Sequence, residues 1–148
     1  MTLQKQMDEL STDECLQLLG THTFGRLAFM DRVGVLPMIL PVNYVLYADR
    51  ITFRTGAGSK LGNAIRGEPV AFEVDGLDPV DRTGWSVVVR GHAQVVSDAL
   101  ELAALWETPL EPWAPGAKHI HVRVAPNQIS GRRIRQPRIA ALADYWWG

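Results

Sequence analysis

A β-rich run, Ile51 to Thr55, passes through Gly56-Ala-Gly58 to Ser59 and Lys60, where an apolar-striped segment begins. Free amides at a helix start, a hydroxyl and an ammonium would converge there on a phosphate or similar anion. Arg54, just ahead of the turn, adds a guanidinium fork. The spacing is not a Walker loop, since Gly-x-x-x-x-Gly-Lys followed by Ser or Thr is absent. Such joins also serve as plain connections, which would leave two cations at one turn unexplained.

Pro41, Val42, Asn43 and Tyr44 form a second candidate. A proline on an edge strand leaves nearby backbone groups unpaired, and Asn43 offers both a donor and an acceptor to a planar heterocycle. A solvated edge strand accounts for the same residues. Trp85 and Ser86 open a long strand, with Trp85 able to wall a flat ligand or to fill the core, and Ser86 on the other face. His119 and His121 share one face of a strand, but no third ligand is marked by spacing, so metal binding is not expected. Asp75, Asp78 and Asp81 lack the glycine and glutamate of a calcium loop and read as a polar loop. There is no Gly-x-Ser-x-Gly elbow and no evident acid–base pair.

The elements that must position these residues alternate between strand and short helix. Ser11 and Glu14 have capping-box spacing ahead of a helix carrying Leu16, Leu18 and Leu19, which Gly20 can end. From Thr23 the chain turns β-rich, with strands reaching Leu46 and a break at Asp31-Arg-Val-Gly34. Pro37 and Pro41 put the second of these at a sheet edge or at a bulge. Ala48-Asp-Arg50 reads as a turn. A helix is expected from Ser59 to about Arg66, strands over Val70–Val74 and Trp85–Val96, and a helix from about Asp98 to Trp106 with Ala99, Leu102, Ala103 and Leu105 inward. Thr108 to Pro115 is too proline-rich for regular structure. Lys118–Val124 reads as a last core strand, followed by a basic segment and a short helix ending in Tyr145-Trp146-Trp147. Three opening strands without intervening helices exclude a parallel Rossmann sheet; about six strands and three short helices imply an antiparallel barrel with peripheral helices, mainly β.

Composition bounds the rest. With 148 residues, 47% hydrophobic and 21% charged, the chain reads as a single globular domain, residues 1–148. The net charge of −1 argues against a generic nucleic-acid partner. Six basic residues against one acid follow residue 117, so a basic tail leaves an acidic body and can meet an anionic ligand or a second subunit. A single cysteine, Cys15, excludes an intrachain disulfide framework and reads as a buried helical thiol. No apolar run reaches the ~18 residues of a membrane span, and the polar start is no signal peptide. A soluble, cytoplasmic protein is expected.

Several segments in order resemble one family: Gly25-Arg-Leu-Ala28, Leu36-Pro37 with Pro41-Val-Asn-Tyr44, Ile51-Thr-Phe-Arg-Thr55 with Gly58-Ser-Lys60, Glu68-Pro-Val-Ala-Phe72, Trp85-Ser-Val-Val-Val-Arg-Gly91 and Ser130-Gly-Arg-Arg-Ile134. Over roughly residues 9–135 the chain resembles the pyridoxamine 5′-phosphate oxidase-like split β-barrel flavoproteins, closest to the branch with nitroimidazole-resistance-type proteins and actinobacterial flavin/deazaflavin oxidoreductases. The resemblance implies an antiparallel split β-barrel of FMN-binding type and a homodimer with flavin sites at its interface. Arg54, Thr55, Ser59 and Lys60 match the phosphate segment, Pro41 to Tyr44 the isoalloxazine lining, and Trp85-Ser86 the ring-edge contacts; the arginines of Ser130-Gly-Arg-Arg133 match a segment that closes the site. It implies an FMN-dependent oxidoreductase passing hydride to or from a small molecule. A reductase using the deazaflavin coenzyme F-420, or a flavin carrier without turnover, would share these residues. The tail reads Arg135-Gln-Pro-Arg-Ile-Ala in place of the oxidases' Arg-x-His-type motif, so oxidation of vitamin B6 phosphates is not implied.

Overall fold

The computed structural model describes residues 4–31, 35–59, 61–62 and 67–137. The elements are β1 (Gln6–Glu9), α1 (Thr12–Gly20), β2 (Phe24–Asp31), β3 (Leu36–Asn43), β4 (Val45–Tyr47), β5 (Arg50–Thr55), β6 (Pro69–Asp78), β7 (Thr83–Val95), α2 (Ala99–Trp106) and β8 (Ile120–Arg135). The strands form one antiparallel sheet in the order β3-β2-β6-β7-β8-β5-β4, with β1 also on β8. The sheet curls into a split β-barrel with two short helices among the described residues.

β8 organises the barrel. One edge pairs with β7 from Val122 to Ile134, while the other pairs first with β5 and, at its far end, with β1. α1 packs against β8 and touches β4 and β7. Ser11 caps it by accepting from the Glu14 amide at 3.2 Å, and the Glu14 carboxylate accepts from the Ser11 hydroxyl rather than from the Ser11 backbone amide of a full capping box. Cys15 and Leu19 on its inner face are fully buried in a core with Leu27, Phe53, Phe72, Val87 and Val124. Fully burying one such large side chain contributes about 1.5–3 kcal/mol, so the plugged barrel interior dominates stability.

β3 is an edge strand, which accommodates Pro37 and Pro41. Ala48 and Asp49, both at positive φ, make a tight hairpin turn between β4 and β5. α2 starts at Asp98, which accepts from the Glu101 amide. Only Leu105 of its four expected inward positions is fully buried; Ala99 and Ala103 face solvent because the helix lies on the outside of the sheet.

Other expectations are corrected. The last strand does not end at Val124 but continues through Pro126 to Arg135. The register shifts at Arg90/Gly91, opposite Pro126, and a Cβ on Gly91 would lie 1.9 Å from the Ala125 carbonyl oxygen. A bulge with glycine on one side absorbs the proline that reads as a strand stop. The expected polar loop Asp75–Thr83 shrinks to residues 79–82, since β6 runs to Asp78. β1 is a strand with no periodic apolar signal, held by pairing and by Arg135 on Asp8. Leu61 and Gly62 are helical; the rest of the helix expected to Arg66, part of the break at 31–34, and the Tyr145-Trp146-Trp147 tail lie outside the described residues. No described helix is long and apolar enough to cross a membrane.

Candidate functional site

At the end of β5 the Thr55 and Ser59 hydroxyls lie 3.0 Å apart, and Ser59 Oγ accepts from the Gly62 amide at 2.9 Å. Gly58, at φ +78°, turns the chain between them with open space beside it. The two hydroxyls carry two hydrogens, and their mutual bond uses one. Whichever oxygen donates, one O–H remains without an acceptor among the described residues. Lys60 lies outside the described residues.

Arg54 does not join that pair. Successive strand residues face opposite sides, and Arg54 points under α2 beside its β5–β8 register partner His121. Its Nη2 donates to the Leu110 carbonyl at 3.0 Å, and its guanidinium lies 4.8 Å from the Trp106 ring centroid. Arg54 Nε and both ring nitrogens of His121 are buried with no hydrogen-bonding partner among the described residues. Burial, and secondarily the Arg54 charge, holds the His121 imidazole below its ordinary pKa. His121 is therefore packed edge-on against Trp106, with ring centroids 4.6 Å apart, while His119 is exposed. Among the described residues no three His, Cys, Asp or Glu side chains gather to hold a metal. Asp78 is occupied within the hairpin turn, accepting from the Val80 and Asp81 amides.

The Pro41–Tyr44 segment divides by face. Val42 and Tyr44 point into the core, and the Tyr44 hydroxyl donates to the Leu19 carbonyl at 2.6 Å. Burial pushes the Tyr44 phenol well above its ordinary pKa. The Tyr44 side chain thus staples α1 to the sheet and is not available to line a ring. Pro41 and Asn43 face outward, and Asn43 Oδ1 accepts the Trp113 amide at 2.9 Å.

Trp85 and Ser86 point to opposite faces of β7. Trp85 packs against the core with its ring 4.8 Å from that of His22. Ser86 faces outward between Asp75 on β6 and Arg132 on β8. These three line a cavity of about 540 Å³ with Glu73, Met7 and Ile134. Arg26 stands 3.4 Å from both Glu73 and Asp75. Burial, reinforced by the hydrogen bond and charge of Asp75, pushes the Glu73 carboxyl up to about 7 against the pull of Arg26.

The ten candidates thus fall into separate groups. Thr55 and Ser59 touch each other, Asn43 and Arg54 are both tied to the segment Leu110–Trp113, and Ser86 lies in the outer cavity. His121, beside Arg54, and Arg132, beside Ser86, stand eleven residues apart on β8, roughly 35 Å along the strand. The sequence gives no local signal for the Glu73–Asp75–Arg26 cluster, which only the register assembles, or for Trp113, which sits in a segment too proline-rich for regular structure.

The pyridoxamine 5′-phosphate oxidase family matches residues 11–133 of this chain. The uncharacterized protein Rv0080 of Mycobacterium tuberculosis is 39% identical over 135 residues, covering 88% of this chain and 87% of its own. The structure of the FAD binding protein from Mycobacterium smegmatis superposes with a TM-score of 0.76 at 40% identity, over 88% of this chain and 100% of that one. A conserved protein of unknown function, DIP1874 from Corynebacterium diphtheriae, is similar at 34% identity and TM-score 0.71, over 87% of this chain and 98% of its own.

Proposed function

Because the chain belongs to the pyridoxamine 5′-phosphate oxidase family, we propose that it is a flavin-dependent oxidoreductase that binds FMN or FAD between two copies and exchanges hydride with a small molecule in the cytoplasm. The observation that carries this reading is the unspent hydroxyl hydrogen of the Thr55–Ser59 pair beside the Gly56–Gly58 turn. It fits a flavin phosphate oxygen, with Lys60 next in the chain to supply charge. The FAD binding protein from Mycobacterium smegmatis, at 40% identity, supports a flavin as the ligand.

A bound flavin supplies the hydride chemistry. The chain's own residues orient and screen it. Thr55, Ser59 and Lys60 would hold the phosphate end, and the outward edge at Pro41 and Asn43 would meet the ring. Ser86 and Arg132 would close the far side from the outer cavity. The wide separation of the Thr55–Ser59 and Trp85–Ser86 groups along β8 favours a homodimer, in which one copy contributes each group. The Glu73 carboxyl, protonated or ionised near neutrality, stands in the same cavity as Ser86.

The test is titration of the full chain with FMN, FAD and the deazaflavin coenzyme, followed by flavin fluorescence and by mass in solution. Uptake of FMN or FAD by a dimer, weakened in Lys60→Ala, is the expected result. Uptake of the deazaflavin alone would replace the cofactor, and uptake of none would overturn the proposal.

A further inference from the structure

The segment between α2 and β8 is fastened at three points. Leu110 is buried and its carbonyl accepts from Arg54. The Trp113 amide donates to Asn43 Oδ1. The Ala117 carbonyl oxygen lies so close to β5 that a Cβ on Gly56 would come within 2.8 Å of it. Pro109, Pro112 and Pro115 stiffen the stretch between these points and reduce the freedom it loses on folding.

Within this strap the Trp113 indole lies nearly parallel to Phe24, with centroids 5.9 Å apart and planes at 15°, and yet it is 77% exposed. Holding a large apolar ring still in water is unfavourable twice over, in solvation and in side-chain entropy. One indole face rests on Phe24; among the described residues nothing stacks on the other. Beside it the Asn43 carboxamide has its oxygen occupied by Trp113, while both Nδ2 hydrogens lack a partner among the described residues. A fixed π-face with an amide donor at its edge matches one ligand chemistry, a planar nitrogen heterocycle with acceptor atoms on its rim.

We propose that the open face of Trp113 is the stacking wall for the heterocycle of a flavin nucleotide, and that Asn43 Nδ2 donates to that ring's edge. The inference rests on the flavin reading above and adds two things to it: a residue from the strap, and a division of labour within Asn43, whose oxygen holds the wall and whose nitrogen reads the ring. The heterocycle is either the isoalloxazine or, in FAD, the adenine. Through Leu110 and Arg54 the same strap reaches the end of β5, which ties the ring-binding edge to the phosphate turn.

The test compares the full chain with Trp113→Ala, Trp113→Phe and Asn43→Asp, the last keeping an acceptor for the Trp113 amide while removing the donor. Each is titrated with lumiflavin, FMN and FAD. Stacking of this kind is worth about tenfold or more in affinity. The expected result is that loss in Trp113→Ala, recovery of most of it in Trp113→Phe, a loss in Asn43→Asp, and unchanged melting temperatures. A loss with all three ligands assigns the isoalloxazine, and a loss confined to FAD assigns the adenine. Equal affinity of the wild type and Trp113→Ala for all three overturns this inference and leaves the flavin reading standing. Failure of the wild type to bind any of the three overturns both.

Discussion

Arg54 and His121 are register partners on β5 and β8, turned to the same side under α2, with no acceptor between them. The guanidinium is held by the Leu110 carbonyl and the Trp106 face. The nearby charges on that side, Arg123 and Glu101, are spent on each other. The imidazole is therefore neutral in the fold, and a proton on it would place two cations side by side in a poorly solvated space.

That arrangement predicts a loss of stability on the acid side. The folded pKa of His121 lies below its ordinary 6.5, so the unfolded chain binds the proton first as the pH falls. Its contribution is fully present above 6.5 and declines from there toward the folded value. His121→Phe keeps an aromatic edge on Trp106 and removes both unpaired nitrogens. Urea unfolding at a series of pH values should show a shallower acid slope in the variant, with stability at neutral pH equal or higher. An unchanged slope would assign the acid sensitivity elsewhere.

Glu73 acts in the opposite direction. Its folded pKa of about 7 exceeds the ordinary 4.5, so the folded state keeps a proton that the unfolded chain has released. Its contribution is present below 4.5 and is lost as the pH rises through 7. Glu73→Gln, which stays neutral beside Asp75, should therefore gain on the wild type as the pH is raised, read as a difference in melting temperature that widens toward alkaline pH. A constant difference would mean that the Glu73 carboxyl does not hold its proton in the fold.

What the sequence makes legible is local. Ser11, Asp98 and the Ser59 turn announce themselves through hydrogen bonds spanning three residues, and the structure holds all three. Pro37 and Pro41 announce an edge because they lack a donor. Relations set by the sheet are not legible. Arg54 is adjacent to Thr55 in sequence but on the opposite face, which divides what reads as one anion site. Pro126 reads as a stop because its tolerance depends on Gly91, 35 positions earlier. Trp113 is hidden among prolines whose order comes from Asn43, Phe24 and Arg54, residues far back in the chain.

Tyr44 separates a structural from a cofactor role. Tyr44→Phe leaves the ring in the core against Phe72 and takes the shorter of two donors from the Leu19 carbonyl, which keeps the His22 amide at 3.4 Å. The expected cost is about 1–2 kcal/mol of stability, measured by denaturant unfolding, with the affinity for flavin unchanged. A weakened flavin complex at unchanged stability would contradict the placement of this side chain in the core.

The Thr55–Ser59 pair yields to a comparison of two variants and two ligands. Thr55→Val preserves shape and leaves Ser59 bonded to the Gly62 amide, so the turn should hold, while the outward donor is lost or left to Ser59 alone. Ser59→Ala removes the cap as well and should cost about 1 kcal/mol of stability. If the unspent hydroxyl hydrogen meets a phosphate oxygen, the variant that lacks the hydroxyl bearing it weakens FMN by about 1.5–3 kcal/mol, the worth of a hydrogen bond to a charged group, while the variant that keeps that O–H loses less. Riboflavin, which has the same ring and no phosphate, should bind both variants as it binds the wild type. Equal losses for riboflavin and FMN would mean that the turn shapes the ring site rather than holding an anion, and the phosphate end would then have to be sought at Lys60 alone.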